Sequence, residues 1–228
     1  IARAGYQTKM SGAENVTLQG VDAYMKVMEK VPGALDHFRQ LTFHLYGGRD
    51  DLRLREVILD WTKKLGVTCA QTEWFKLDDL PVVNEVWKDL TISGVVAWER
   101  YGWGSWVKLD LKNQKIAKGS TGSYLWQFSH FIRPGCIRVD AKSANHTVHV
   151  TAFVSPAKKA LLILINPDAK PRTVAVSGLP AGSYAATHTS KPKNEFCQRL
   201  GDKAVTAGKI LTFKLAPQSV TTLAAEKD

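Results

Sequence analysis

The sequence predicts an α/β domain of parallel βαβ units, followed by an all-β domain that forms an antiparallel β-sandwich. Apolar strand-like runs alternate with helix-like segments through the first 134 residues, with a repeat of about 30 residues that is typical of βαβ units. Past Gly135, short β-rich segments follow one another without helices between them. The 228 residues are 44% hydrophobic and 23% charged, a globular balance that excludes a mainly disordered or fibrous chain.

The α/β part alternates in a fixed order. Its predicted elements are a strand at 8–14, a helix at 21–31, a strand at 41–46, a helix between Asp50-Asp51 and Gly66, a strand at 67–75, a helix at 78–90 and a strand at 92–100. The helices are predicted from apolar residues at helical spacing, with aspartates at the start of the second helix and glycine after its end. Four such strands are too few to close a barrel of eight.

The all-β part follows a further helix at 124–132, which ends at Arg133-Pro134-Gly135. Its predicted strands are 147–154, 160–165, 172–177, 183–189, 209–215 and 219–224. These segments are rich in Val, Ile, Leu and Thr and are separated by turn residues, which indicates an antiparallel β-sandwich. We therefore divide the chain into residues 1–134 and 135–228.

The positive charge lies mainly in the second part. Of 31 Lys and Arg and 21 Asp and Glu in the chain, residues 123–228 hold 14 basic and 6 acidic residues. A basic face could attract acidic polysaccharide, nucleic acid or an anionic membrane. The lysines are scattered and not interleaved with exposed aromatics, which favours solvated lysines on a β-rich domain, and we expect no nucleic-acid partner.

Cysteine and histidine patterns predict neither a metal site nor a cofactor. Cys69 lies in an apolar run and is expected to be buried, whereas a pairing of Cys136 with Cys197 is left open. The six histidines show no ligand spacing. The aliphatic run 160–165 is much shorter than the roughly 20 residues of a membrane helix, so we expect no membrane span. Because the sequence begins at Ile1, we expect that its original N-terminus has been removed or processed.

The carboxyl ends of the predicted parallel strands are rich in carboxylates and aromatics. In chain order they hold Glu14, then His44 and Tyr46, then Glu73 and Trp74, then Trp98 and Glu99. Catalytic groups in parallel α/β folds lie at this edge, and glycoside chemistry uses carboxylates. The alternative for each residue is structural, because strand-end glutamates are commonly solvated and strand-end Trp and Tyr commonly pack the core.

The same strand ends resemble the second half of a glycoside hydrolase family 30 barrel. The resemblance lies in Gln71-Thr72-Glu73-Trp74, in Phe43-His44-Leu45-Tyr46-Gly47 and in Val95-Val96-Ala97-Trp98-Glu99. A more specific match is Gln127 to Gly135, QFSHFIRPG, which resembles the link from the last barrel helix to the side β-domain of that family. Segments 165–167, 176–184, 189–190 and 217–222 are similar to its sandwich.

The resemblance implies the second half of a (β/α)8 TIM barrel, strands five to eight, followed by the side β-sandwich. It also implies a retaining β-glycoside hydrolase with Glu73 as the catalytic nucleophile. Substrate-binding residues would be His44 and Tyr46, which orient Glu73 or contact the sugar, together with Trp74 and Trp98, the latter at the subsite floor. Substrates of the family include xylan-type polysaccharides, β-glucans, β-galactans and glucosylated lipids.

The sequence departs from this family in its second carboxyl group. The acid/base of the family lies in an Asn-Glu pair on strand four, and this chain begins at what resembles strand five. Half a barrel would expose unpaired strand edges, so we expect a second polypeptide to provide barrel strands one to four. Glu14 and Glu99 are the candidates within the chain for a replacement acid. We expect a secreted, extracellular protein, with a lysosomal one as the alternative.

A second hypothesis comes from a different class of protein. Half a barrel, an unpaired thiol and a basic sandwich are also consistent with a non-catalytic carbohydrate-binding or structural protein built on a glycosidase scaffold. The hypotheses differ in whether the Glu73 carboxylate faces a sugar-binding cleft.

Overall fold

The computed structural model describes residue 5 and residues 8–102, 106–144 and 146–225. The described residues form two compact units. The first, here called the barrel unit, lies within residues 1–76 and 88–103. The second, the sandwich unit, lies within residues 77–87 and 104–228.

The barrel unit is built on a four-stranded parallel sheet in the order β1-β2-β3-β4. The strands are β1 (Met10–Asn15), β2 (Phe38–His44), β3 (Thr68–Glu73) and β4 (Ala97–Trp98), and the helices are α1 (Leu18–Lys30) and α2 (Leu52–Leu65). Apolar residues of both helices and of β2 are fully buried, among them Val21, Met25, Leu41 and Ile58. The alternation of parallel strands and helices predicted for this part is confirmed.

The ends of helix α2 follow its sequence signals. The Asp51 side chain accepts a hydrogen bond from the backbone N–H of Arg53 at 3.1 Å, which satisfies one of the free donors at the helix start. Gly66 follows the last turn in the left-handed conformation that glycine adopts without strain.

The prediction of a strand at 92–100 is wrong over most of that segment. Residues Asp89–Ser93 form a π-helical turn that continues the preceding helix, and the strand comprises only Ala97–Trp98. The turn is held by a hydrogen bond from the N–H of Val95 to the backbone carbonyl of Asp89 at 3.2 Å, and the Asp89 side chain is fully buried. Gly94 ends the turn at a φ of 72°.

The sandwich unit contains a six-stranded antiparallel sheet in the order β12-β11-β14-β9-β8-β7, a two-stranded sheet β10-β13 and a separate hairpin β5-β6. Its strands are β5 (Val107–Asp110), β6 (Lys115–Lys118), β7 (Ile137–Val139), β8 (His149–Val154), β9 (Ala160–Asn166), β10 (Arg172–Val176), β11 (Gly182–Ser190), β12 (Glu195–Val205), β13 (Leu211–Leu215) and β14 (Ser219–Ala225). Its helices are α3 (Leu80–Lys88), whose last residue belongs to the barrel unit, and α4 (Ser120–Ser129). All six predicted sandwich strands are present, and β5, β6, β7 and β12 are additional.

One hydrophobic core fills the sandwich. Leu162, Leu164, Tyr184, Ala186 and Leu223 are buried in it, and residues of β10 and β13 pack against it from the two-stranded sheet. Strand β9 is buried along nearly its whole length, whereas residues of β10 and β13 alternate between partly buried and exposed, as expected for strands that pack one face against a core.

Helix α4 packs within the sandwich unit. The Tyr124 hydroxyl donates to the carbonyl of Gln218 at 2.7 Å, and the Gln127 amide donates to the Thr189 hydroxyl at 3.2 Å. Packing therefore groups residues 106–134 with the sandwich, whereas the division after residue 134 remains a prediction from sequence.

Candidate active site

The four parallel strands of the barrel unit bring their carboxyl ends to one edge of the sheet. Each neighbouring pair in the order β1-β2-β3-β4 is parallel, so the residues at these ends lie side by side. Glu14, His44, Glu73 and Trp98 all occupy this edge, as the sequence predicts.

Glu73 is paired with Tyr46 at this edge. The Tyr46 hydroxyl donates a hydrogen bond to Oε1 of Glu73 at 3.0 Å. Tyr46 follows the end of β2, where its backbone N–H donates to the carbonyl of Val16 at 3.1 Å. Burial and the hydrogen bond to the Glu73 carboxylate raise the pKa of Tyr46 to about 12. The phenol therefore remains a protonated donor throughout the neutral pH range.

His44 is paired with Glu14 rather than with Glu73. Its Nε2 lies 2.9 Å from Oε2 of Glu14, and the Thr72 hydroxyl donates to the same oxygen at 2.7 Å. His44 also contacts Tyr46 edge to face, with ring centroids 6.1 Å apart. These contacts join the ends of three adjacent strands.

The environment of Glu14 favours its ionised form. Burial by itself raises the pKa of the Glu14 carboxyl. Hydrogen bonds with Thr72, Thr42 and His44 lower it by more, so the pKa lies below its ordinary value. A general acid must instead hold its proton at working pH, so this environment disfavours Glu14 as a replacement acid.

Glu99, the other candidate for a replacement acid, is exposed at the end of β4. Its backbone N–H donates to the carbonyl of Gln71 at 2.9 Å. A catalytic acid works in a site from which water is excluded, so the exposure of Glu99 does not favour this role.

The indole of Trp98 is hydrogen-bonded to a buried ion pair. Its indole N–H donates to Oδ2 of Asp89 at 2.9 Å, and Nε of Arg55 lies 2.7 Å from Oδ1 of the same carboxylate. The Arg55 and Asp89 side chains are both fully buried. The ring of Trp98 remains partly exposed, which is compatible with its predicted place in a subsite floor.

Trp74 occupies the interior. It is fully buried, meets Trp98 edge to face at 6.5 Å between ring centroids, and lies 5.7 Å from the Arg49 guanidinium carbon. Because no face of its ring is exposed, the position supports packing beneath the site, and the substrate-binding role of Trp74 stays a prediction.

Two exposed aromatic residues next to Glu73 were not predicted as site residues. Phe75 contacts Tyr46 at 5.5 Å between ring centroids and Tyr101 at 5.9 Å. Phe75 is 50% exposed and Tyr101 62% exposed. Since 67–75 was interpreted as one strand, Phe75 was counted as a strand residue. Its position two residues after Glu73 was the available signal.

The remaining candidate groups show no metal or disulfide chemistry. Among the described residues, no group of three or more His, Cys, Asp or Glu side chains is arranged to hold a metal ion. Cys69, Cys136 and Cys197 are all free thiols, and burial raises the pKa of Cys69 to about 12. Within the described ranges, no helix is long and apolar enough to cross a membrane.

A cavity of about 750 Å³ lies in the sandwich unit, lined by residues of β8, β9 and β10 and by the segment 139–144. None of the predicted site residues lines this cavity.

The fold is the second half of a (β/α)8 barrel followed by an antiparallel β-sandwich, and solved structures share it. Residues 135–223 match the family model of the glycosyl hydrolase family 30 beta sandwich domain, so this part of the chain is such a domain. The resemblance to glycoside hydrolase family 30 is thereby confirmed for residues 135–223. Comparison with curated proteins finds no match.

Solved structures share the fold over nearly the whole chain. A GH30 endoxylanase from Clostridium papyrosolvens C71 is 22% identical with a TM-score of 0.78, covering 96% of this chain and 56% of that chain. The catalytic domain of GH30 xylanase C from Talaromyces cellulolyticus is 17% identical with a TM-score of 0.77, covering 99% and 54%. The endo-beta1,6-glucanase BT3312 is 17% identical with a TM-score of 0.65, covering 100% and 50%. The chain thus spans little more than half the length of these similar structures.

Proposed function

We propose that this chain supplies the nucleophile of a retaining β-glycoside hydrolase and that Glu73 is that nucleophile. The observation that carries the proposal is the Tyr46 hydroxyl bonded to Oε1 of Glu73 at the carboxyl-end edge of a parallel sheet. A donor that is itself protonated at neutral pH holds one carboxylate oxygen in place. The other oxygen is then available for attack.

The reaction has two steps at the anomeric carbon. In the first, Oε2 of Glu73 forms a bond to that carbon, and the glycosidic bond breaks with its electron pair passing to the leaving oxygen. An acid outside these residues protonates that oxygen. In the second step water attacks the anomeric carbon, its proton passes to the same residue acting as base, and the electron pair of the ester bond returns to Glu73.

We propose that the acid/base lies on barrel strands one to four and is supplied by a second polypeptide or segment, which is supported by the coverage of only 56% and 54% of the similar xylanase chains. Such a residue would lie about 5–5.5 Å from Glu73 in a retaining enzyme. The low pKa of Glu14 supports a residue other than Glu14 for this role.

The exposed aromatics beside Glu73 support a carbohydrate substrate. Phe75 and Tyr101 present ring faces next to the nucleophile, and such rings pack against the apolar faces of pyranoses. The similar structures include xylanases and a β-1,6-glucanase, so β-linked xylan and β-glucan are the first substrates to test.

A mechanism-based label tests the nucleophile without the missing acid. We expect a 2,4-dinitrophenyl 2-deoxy-2-fluoro-β-glycoside, of the xylosyl or glucosyl series, to form a stable ester on Glu73. Dinitrophenolate leaves without protonation, and the fluorine slows hydrolysis of the ester. Peptide mass spectrometry locates the sugar, with Glu73→Gln as the unlabelled variant and Glu99→Gln as the matched variant that remains labelled. A label on another carboxyl, or no label across the panel, would overturn the proposal and favour the non-catalytic carbohydrate-binding alternative.

The Tyr46 contact leads to a second expected result. Tyr46→Phe removes the hydrogen bond to Glu73 and retains the ring, so the rate of labelling should fall about 10- to 100-fold, the effect of one charge-assisted hydrogen bond. The matched control is Tyr101→Phe, which removes a hydroxyl from the neighbouring exposed ring and should change the rate less than about threefold. Equal rates for both variants would contradict the orienting role of Tyr46.

A further inference from the structure

The segment 107–118, here called the lysine hairpin, forms a two-stranded antiparallel ribbon in the sandwich unit. Strands β5 and β6 pair antiparallel, with Leu109 directly opposite Ile116. The turn between them is fixed by Asn113, whose backbone N–H and side-chain amide donate to the two carboxylate oxygens of Asp110 at 3.1 and 2.8 Å. The tip therefore has a defined shape.

One face of the lysine hairpin is an exposed aliphatic strip. Directly opposed residues of an antiparallel pair share a face, so Leu109 and Ile116 lie together. They are 58% and 76% exposed, and Leu111 at the turn is 83% exposed. Three large aliphatic side chains held in water on twelve residues are unfavourable unless a partner covers them.

The same twelve residues carry a concentrated positive charge. Lys108, Lys112, Lys115 and Lys118 are all exposed, against a single acidic residue, Asp110. Lys115 lies directly opposite Asp110, and Lys108 directly opposite Ala117, so both lysines are on the face opposite to the aliphatic strip. Lys118 is on the face of the strip, and its Nζ lies 3.5 Å from Sγ of Cys197. The hairpin therefore has an aliphatic face and a lysine-bearing face, the division typical of an amphipathic element at a membrane interface.

Shape and chemistry identify the kind of surface that fits this ribbon. A polysaccharide platform uses flat aromatic rings, and residues 107–118 contain none. A stable protein interface buries about 800 Å² on each partner, more than a single short hairpin offers. An aliphatic face backed by a lysine-bearing face matches the acyl and anionic headgroup layers of a membrane surface.

We propose that the lysine hairpin is a peripheral anchor that inserts Leu109, Leu111 and Ile116 into the surface of an anionic lipid bilayer. This site is independent of glycoside hydrolysis. It would hold the chain at a membrane without a membrane-spanning segment.

Vesicle flotation of the full chain tests the anchor. We expect co-flotation with phosphatidylcholine vesicles that contain phosphatidylserine, weak flotation with phosphatidylcholine alone, and release as ionic strength rises. The triple variant Lys108→Gln/Lys112→Gln/Lys115→Gln should weaken binding about 100-fold. The double variant Leu111→Asn/Ile116→Asn should weaken it at least about tenfold.

Matched variants elsewhere in the sandwich unit serve as controls. Lys170→Gln/Lys209→Gln/Lys214→Gln removes the same charge from other exposed positions, and Ile210→Asn alters an aliphatic residue that is 63% exposed. Both should bind as the parent chain does. Absent flotation of the parent chain, equal loss in the control triple variant, or a hairpin-dependent oligomer in the absence of lipid would each overturn the proposal, the last in favour of a second copy as partner.

Discussion

Replacement of Glu73 by Gln is expected to reduce cleavage of an activated β-glycoside by at least about 10⁴-fold, the size of loss that follows removal of a catalytic nucleophile. The amide keeps nearly the same shape and an oxygen that can accept from Tyr46, but it is a poor nucleophile. The substitution therefore removes the chemical group with little change in packing. A smaller loss, within about tenfold, would contradict the assignment.

The appropriate substrate is a 2,4-dinitrophenyl β-glycoside, measured by release of dinitrophenolate. Its leaving group needs no proton, so the first step requires no general acid in addition to Glu73. Without an acid/base to activate water, the progress curve should show a burst of one equivalent per chain and then slow turnover. Azide, which needs no general base, should accelerate that turnover and yield the β-glycosyl azide.

Azide, added as an external nucleophile, distinguishes a variant that has lost only its nucleophile from a variant that no longer folds. In Glu73→Ala the space left by the carboxylate admits azide, which should attack the substrate directly and yield the α-glycosyl azide. Inversion in this variant and retention in the parent chain assign the nucleophile independently of rate. Glu14→Gln serves as the control and should retain the β product, because Glu14 pairs with His44 and Thr72 and not with Glu73.

The fold was predictable from the sequence where local signals agree with packing. Helix α2 has a capping aspartate, apolar residues at helical spacing and a terminal glycine, and the structure places all three as expected. Residues 92–100 were wrongly predicted to form a strand because the β-branched side chains of Val95 and Val96 are typical of strands. The backbone before them is held instead by buried Asp89, a tertiary contact that no local pattern shows.

Strand β12 was missed for a different reason. Five of the eleven residues of Glu195–Val205 are charged or amide residues, most of the strand is exposed, and it lies at the edge of the six-stranded sheet. An edge strand with one solvated face needs few apolar residues, so its sequence resembles a loop.

The sequence predicted which residues lie at the candidate site, but it did not predict which of their side chains pair with one another. Parallel strands place their carboxyl ends together, which was sufficient to bring Glu73, Tyr46 and His44 to one edge. The sequence left open whether His44 orients Glu73, and the structure pairs His44 with Glu14. Side-chain partners at a strand edge depend on register, including the shift between Phe43 and His44 that brings His44 opposite Glu73.

Breaking the buried ion pair beneath Trp98 should produce the largest loss of stability in the barrel unit. Asp89→Asn removes the charge of the carboxylate that pairs with Nε of Arg55 at 2.7 Å, and breaking a buried ion pair by removing one partner costs about 3–5 kcal/mol. Folded domains are stable by only about 5–15 kcal/mol, so this loss is a large share of the total. Trp98, which donates to Asp89, should then show greater solvent exposure of its indole.

The measurement must report on the barrel unit by itself, because the chain contains two units. Hydrogen exchange of peptides from α2 and β3 gives the opening free energy of this unit. Removing both charges in Arg55→Met/Asp89→Leu should cost less than Asp89→Asn alone, because apolar side chains then replace both members of the buried pair. Asp60→Asn on the exposed side of α2 is the matched control and should change stability by less than about 0.5 kcal/mol. If Asp89→Asn exchanges as slowly as the control, the ion pair does not stabilise the floor of the site.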